Sequence, residues 1–191
     1  MKKFTDLTLE AYLHELASPA PVPGGGSVSA YVAALAMGLI QMVGRVALSR
    51  KKKPEGHATI QKIIDSIEKT KRDTFQIVNL DPEVYQEVVN ASGHPEKMED
   101  ALQNSFRLQA DLAFLVVMAR EWNASMLELV QGSIKNDLLV SSALLEAAFR
   151  GAFHTAMINV QTMKSAKQKA HAERAMAELK TRFEKGKSGD R

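Results

Sequence analysis

The 191-residue sequence contains no cysteine, which excludes a disulfide framework and any thiolate metal site. Aromatic residues are scarce at 6%, and no stretch alternates apolar and polar residues with the period of a half-buried strand. Proline is absent after Pro95, and the second half holds only Gly132, Gly151, Gly186 and Gly189 as breakers. Long helices are the natural outcome there. Charge is missing between Ser18 and Gly44. That run does not read as a membrane span, because its first third is proline and glycine and its alanine-rich remainder is interrupted by Ser29, Gly38 and Gln41. The opening Met1-Lys2-Lys3-Phe4-Thr5-Asp6 lacks the apolar segment of a signal peptide. With the absence of cysteine, this points to a cytoplasmic protein. Net charge is only +3, with much of the excess in Lys51, Lys52 and Lys53 and beyond Lys164, and aromatic residues do not interleave with it. No nucleic-acid partner is expected. The length suits a single domain spanning 1–191.

Against this background one stretch stands out, Ser18-Pro19-Ala20-Pro21-Val22-Pro23-Gly24-Gly25-Gly26-Ser27. Alternate prolines hold the backbone extended, and consecutive glycines then release it just before a long uncharged helical pattern. The result is a bare helix N-terminus, able to hold an anion through backbone N–H groups.

The rest of the chain reads as five or six helices in an antiparallel bundle. Leu7 to Leu16 forms a short first helix capped by Asp6 or Thr8, and the second runs from about Ser27, its N-cap, to Ser49. Ala30, Ala34 and Gly38 recur every four residues in it as a small-residue stripe suited to close helix packing. Ile60, Ile63, Ile64, Ile67, Thr74 and Val78 mark a third helix, and Asp81-Pro82 suggests the cap of a separate continuation ending near Ser92. A segment from Pro95 to about Gln131 and another from Asn136 or Asp137 toward Met163 follow. Residues 165–191 form an amphipathic extension with Ala172, Ala175, Met176, Leu179 and Phe183 on one face, suited to packing on a surface or a second subunit. His154 could act as a base, but a histidine beside Phe153 on an apolar helix is more often a core residue. His14, His57, His94 and His171 show no metal-ligand spacing.

The Ser18–Ser27 stretch resembles the signature of the formiminotransferase-cyclodeaminase C-terminal family. The similarity continues through the alanine-rich helix to Met42-Val43, the basic cluster Lys51-Lys52-Lys53, Asp81 followed by Tyr85, Asn136 with Ser141-Ser142, and Asn159 in the last long helix. It covers roughly residues 1–165. Three positions depart from the family pattern: Ser142 stands where an aspartate is common, Thr155 where a second asparagine is common, and Pro54 where a tyrosine is usual.

The resemblance implies an all-α, dimeric enzyme of folate one-carbon metabolism, a formiminotetrahydrofolate cyclodeaminase or a methenyltetrahydrofolate cyclohydrolase. Its substrate would be a tetrahydrofolate derivative, with no metal and no further cofactor. On this reading Asp81 and Asn159 are catalytic, Asp81 moving a proton and Asn159 orienting water or the pterin edge. Pro23, Gly24, Gly25, Gly26 and Ser27 bind substrate, the glycines and Ser27 through backbone N–H groups. Lys51, Lys52 and Lys53 attract its carboxylates, and Asn136, Ser141 and Ser142 complete the binding set. A folate-binding homologue that has lost its catalytic acid and a helical assembly module are the competing readings. The loop points to binding more directly than to catalysis.

Overall fold

The computed structural model describes residues 3–49 and 56–186. Within them a 3₁₀ turn at Phe4–Asp6 is followed by α1 (Leu9–Leu16), α2 (Gly25–Ser49), α3 (His57–Asn90), α4 (Pro95–Leu129), α5 (Lys135–Thr162) and α6 (Ala166–Lys185). No strand occurs among the described residues. Local chemistry sets the boundaries. Thr8 caps α1 by accepting the Ala11 N–H at 3.2 Å, and Pro95 occupies the first turn of α4, where its missing N–H costs nothing. Gly132 turns the chain between α4 and α5 at φ 89°, a conformation that disfavours any side chain.

Helices α2, α3, α4 and α5 form a ring in which each packs on its two neighbours, and α6 lies against α4 and α5. Helices α2 and α5 run antiparallel, with Gly25 beside Thr155, Ser29 beside Gly151, and Ser141 Oγ donating to Ala36 O at 3.1 Å. The core between them is built from Ala30, Ala33, Met37, Ile40, Leu145, Ala148, Ala152 and Ala156 with Leu112, Val116 and Val117 of α4. Helix α2 meets the length and hydropathy of a membrane span, but one side of it is buried inside the bundle.

Two sequence expectations need correction. Helix α3 is continuous through Pro82. Proline cannot donate to the carbonyl four residues back, which is that of Val78. Ser27 Oγ supplies the missing donor to Val78 O at 2.9 Å, so the helix passes the proline without an unsatisfied buried carbonyl. Next, the Ala30-Ala34-Gly38 row is not a packing seam: a Cβ on Gly38 would meet nothing within 4 Å. Residues four apart drift by about 40° around a helix, so the row crosses from the inner face to the outer one. The close approach to α5 lies at Ser29, where a Cβ on Gly151 would stand 3.2 Å from Ser29 Cβ. Of the two placements expected for the amphipathic extension, a surface or a second subunit, α6 takes a surface of its own bundle. Phe183 stacks on Phe149 of α5 at 4.2 Å, and Arg182 pairs with Glu121 of α4 at 2.6 Å.

Candidate active site

The first helical hydrogen bond of α2 runs from Val28 N to Gly24 O at 3.0 Å, so the helix opens at the glycines and Ser27 lies in its first turn rather than at the cap. The cap comes from another helix. Asp81 Oδ2, on α3, accepts the Ser27 N–H at 2.9 Å. With its own proton committed to Val78 O, the Ser27 hydroxyl accepts from Tyr12 Oη at 3.1 Å. The second Asp81 oxygen, Oδ1, accepts from Gln109 Nε2 of α4 at 2.7 Å. Gly26 makes this convergence possible. A Cβ there would stand 2.7 Å from Asp81 Cγ and overlap both Asp81 Oδ1 and Gln109 Nε2.

Asp81 is 8% exposed. Burial pushes its carboxyl above the ordinary carboxylate range, and the hydrogen bonds from Ser27 and Gln109 act in the opposite direction without cancelling it. A carboxyl balanced in this way can hold or release a proton nearer neutrality than an exposed aspartate can. Tyr12, reached through Ser27, is also pushed up, chiefly by burial.

Asp81 lines a cavity of about 370 Å³. Pro21, Val22 and the three glycines form one wall, Tyr85 and Val88 of α3 a second, and Leu102, Ser105, Thr155, Ile158, Asn159 and Thr162 the remainder. Asn159 is anchored there, donating from Nδ2 to Ser105 Oγ at 2.9 Å and to Thr155 O at 3.2 Å. No lysine, arginine or histidine is among the described lining residues, so Asp81 is the acid in an otherwise uncharged cavity. A larger groove of about 410 Å³ between α4 and α6 is lined by Arg107, Lys167 and His171 but contains no carboxyl group. The described residues contain no cluster of His, Asp or Glu arranged to hold a metal.

The residues singled out in the sequence are thus divided. Gly24, Gly25, Gly26, Asp81 and Asn159 meet at the cavity. Ser27 serves it from behind, and its N–H is committed to Asp81 rather than to a ligand. Pro23 is buried beneath the loop, leaving Pro21 and Val22 on the cavity wall. Asn136 is exposed in the first turn of α5. Ser141 and Ser142 are buried partway along that helix, roughly 25 Å from Asn159 at about 1.5 Å per residue. Ser142 Oγ accepts from Asn123 Nδ2 at 2.7 Å, and its carbonyl accepts from Arg120 Nη1 at 3.3 Å. Lys51, Lys52 and Lys53 lie outside the described residues. His154 is exposed in a groove beside Phe153 and Lys180, away from the Asp81 cavity.

Sequence reasoning missed Gln109 and Ser105 as part of the site, while Thr155, noted in the sequence as a departure from the family pattern, lies on the cavity wall. Ser105 and Gln109 are one helical turn apart and buried on α4, a polar pair facing inward. That spacing was the available signal.

An all-α bundle with a buried carboxyl beneath a glycine-opened helix is the class that fold and site define. Residues 8–178 match the formiminotransferase-cyclodeaminase family, and the chain belongs to that family. It is 28% identical over 170 residues to the formimidoyltransferase-cyclodeaminase of Rattus norvegicus, covering 83% of this chain and 31% of the rat protein. It is 31% identical over 93 residues to the methenyltetrahydrofolate cyclohydrolase of Methylorubrum extorquens, covering 49% of this chain and 45% of that one. The matched region therefore spans less than half the length of each of these curated relatives. The fold matches the crystal structure of formiminotetrahydrofolate cyclodeaminase from Thermotoga maritima with a TM-score of 0.94 at 19% identity, over 98% of this chain and 96% of that one.

Proposed function

We propose that this protein is a formiminotetrahydrofolate cyclodeaminase, closing the 5-formimino group onto N10 with loss of ammonia. The observation that carries this reading is the single buried acid in a cavity whose described walls bear no cation. Such a site suits a reacting centre that is itself positive, and the protonated formimino group is an amidinium cation. Family membership and the cyclodeaminase relative support the choice of substrate.

The step balances without an outside reagent. N10 attacks the amidinium carbon, forming the new C–N bond, and its proton passes to the Asp81 carboxylate. Asp81 then returns that proton to the amine of the tetrahedral adduct. The old C–N bond breaks, ammonia leaves, and the 5,10-methenyl cation remains. Asp81 therefore alternates between base and acid, a role that a carboxyl raised by burial fills more readily than an exposed aspartate. Asn159, fixed by Ser105, orients the group that approaches Asp81. The cavity volume suits a fused ring better than a whole folate conjugate, so the glutamate tail extends outside it.

The cyclohydrolase relative supports a second reading, in which water adds to the same methenyl cation. Mixing purified protein with 5-formiminotetrahydrofolate and separately with the methenyl compound distinguishes the two by gain or loss of the methenyl absorbance. Turnover of neither above the spontaneous rate would sink both.

We further infer that the working unit is a homodimer joined through the outer face of α2. Leu35 is 53% and Met42 36% exposed there, flanking Gly38 and Leu39 on one stripe free of charge.

A further inference from the structure

Gln109 is fully buried, yet only one end of its amide is satisfied. Nε2 donates to Asp81 Oδ1 at 2.7 Å, while Oε1 has no hydrogen-bond partner among the described residues. A buried carbonyl left in this way is costly, so a native position that keeps one calls for a reason. The two donors on Asp81 differ in kind. Ser27 N is a backbone group in the first turn of α2 and can only donate. Gln109 can rotate its amide by half a turn and present an acceptor instead. That rotated amide makes a good hydrogen bond to Asp81 only when Oδ1 carries a proton.

We propose that Gln109 is a positioning residue whose amide follows the protonation state of Asp81, donating to the carboxylate and accepting from the neutral acid. The oxygen without a partner belongs to the ionised state; in the protonated one it accepts from Asp81 Oδ1, and the amide N–H₂ turns to the position the oxygen left. Each form of Asp81 is thus hydrogen-bonded on Oδ1, and neither is trapped. Gly26 is part of the device, because a Cβ there would occupy the position of the Gln109 amide nitrogen and crowd Asp81. Other titratable groups are poorly placed to do this work. Tyr12 of α1 reaches Asp81 only through Ser27, and Tyr85 stands one turn along α3. Helix α2 carries no charged side chain before Arg45. The described residues that α4 and α5 turn toward the cavity, among them Ser105, Thr155 and Asn159, are neutral.

The proposal rests on Asp81 as the titrating group of the proposed reaction, but its test needs no substrate. The side-chain NH₂ resonances of Gln109 in the full-length protein, assigned by their loss in Gln109→Leu, are followed by NMR against pH together with the Asp81 carboxyl carbon. Both are expected to move with one shared midpoint. Because Gln109 serves both protonation states, the loss of its donated bond is largely offset, and the midpoint in Gln109→Leu is expected to rise by no more than about half a pH unit, a differential of under ~0.7 kcal/mol. A Gln109 signal that ignores the Asp81 titration would overturn the proposal. So would a midpoint rise larger than that in Gln109→Leu, which marks a group that only donates. Turnover assayed separately reports on the cyclodeaminase reading, so the two can fail independently.

Discussion

The Asp81 carboxylate of α3 accepts the Ser27 N–H of α2 at 2.9 Å, while the Ser27 hydroxyl donates to the Val78 carbonyl that Pro82 leaves without a backbone donor. Two irregularities, a helix opening on glycines and a proline inside a helix, therefore resolve each other at the wall of the cavity. The same residues that stabilise the crossing of α2 and α3 hold the acid in place.

Replacing Asp81 separates its chemical from its structural role. Asp81→Asn keeps an acceptor for Ser27 N, so the fold is retained, while turnover should fall by about 10²- to 10⁴-fold with loss of the proton carrier. The pH dependence of stability has a definite sign. Burial raises the folded-state pKa of Asp81, so the native state binds more protons than the unfolded chain between the unfolded and folded values. Stability from this group is greatest below the unfolded value and is lost as pH rises through the folded one. Thermal unfolding should find Asp81→Asn gaining on wild type at neutral pH, with the advantage shrinking as the buffer is taken toward pH 4.

The three glycines should respond differently to the same added methyl group. In Gly26→Ala the Cβ meets Asp81 and Gln109 in a packed interior, with an expected loss of about 1–3 kcal/mol and of activity. A Cβ at Gly25 stands 3.9 Å from Thr155 Oγ1 and at Gly24 3.6 Å from Pro21 O, both ordinary contacts. Denaturant melts of Gly24→Ala and Gly25→Ala should therefore lie near wild type. Gly25→Ala should act through a higher KM, because it narrows the cavity.

Ser142→Asp restores the family's common residue, but at a place roughly 25 Å along α5 from Asn159. The new carboxylate would lie beside Arg120, which already donates to the Ser142 carbonyl. Sites farther apart than about 10 Å with no shared partner act independently, so turnover should stay within roughly twofold of wild type. A large gain would show that the far end of the bundle takes part in the reaction.

A charged group on the outer face of α2 tests the dimer. Leu35→Lys removes little core packing, since Leu35 is 53% exposed, and a melting temperature near that of wild type is the expected control. Sedimentation should show a dimer for wild type and a monomer for the variant.

The fold was largely legible because apolar spacing, Thr8, Pro95 and Gly132 act locally. The site was legible where a backbone feature advertised it. Gly24 to Gly26 break the helical pattern visibly, and Asp81 stands beside a proline. What could not be read was set by contacts distant in sequence. Pro82 looks like a helix start until Ser27 is seen to satisfy Val78, and Asp81 looks like the cap of its own helix until it is found capping another. Gln109 resembles any polar residue on a long helix, and only the tertiary crossing shows that it faces Asp81. Asn136, Ser141 and Ser142 share a helix with Asn159, but the length of α5 keeps them from its cavity.

The most direct test of the role assigned to Asp81 is the rate of methenyl formation from 5-formiminotetrahydrofolate by wild-type protein and by folded Asp81→Asn, each measured against the spontaneous reaction. Catalysis by wild type that is lost in Asp81→Asn is the predicted result. Equal rates for the two proteins, or a wild-type rate no greater than the spontaneous one, would contradict it.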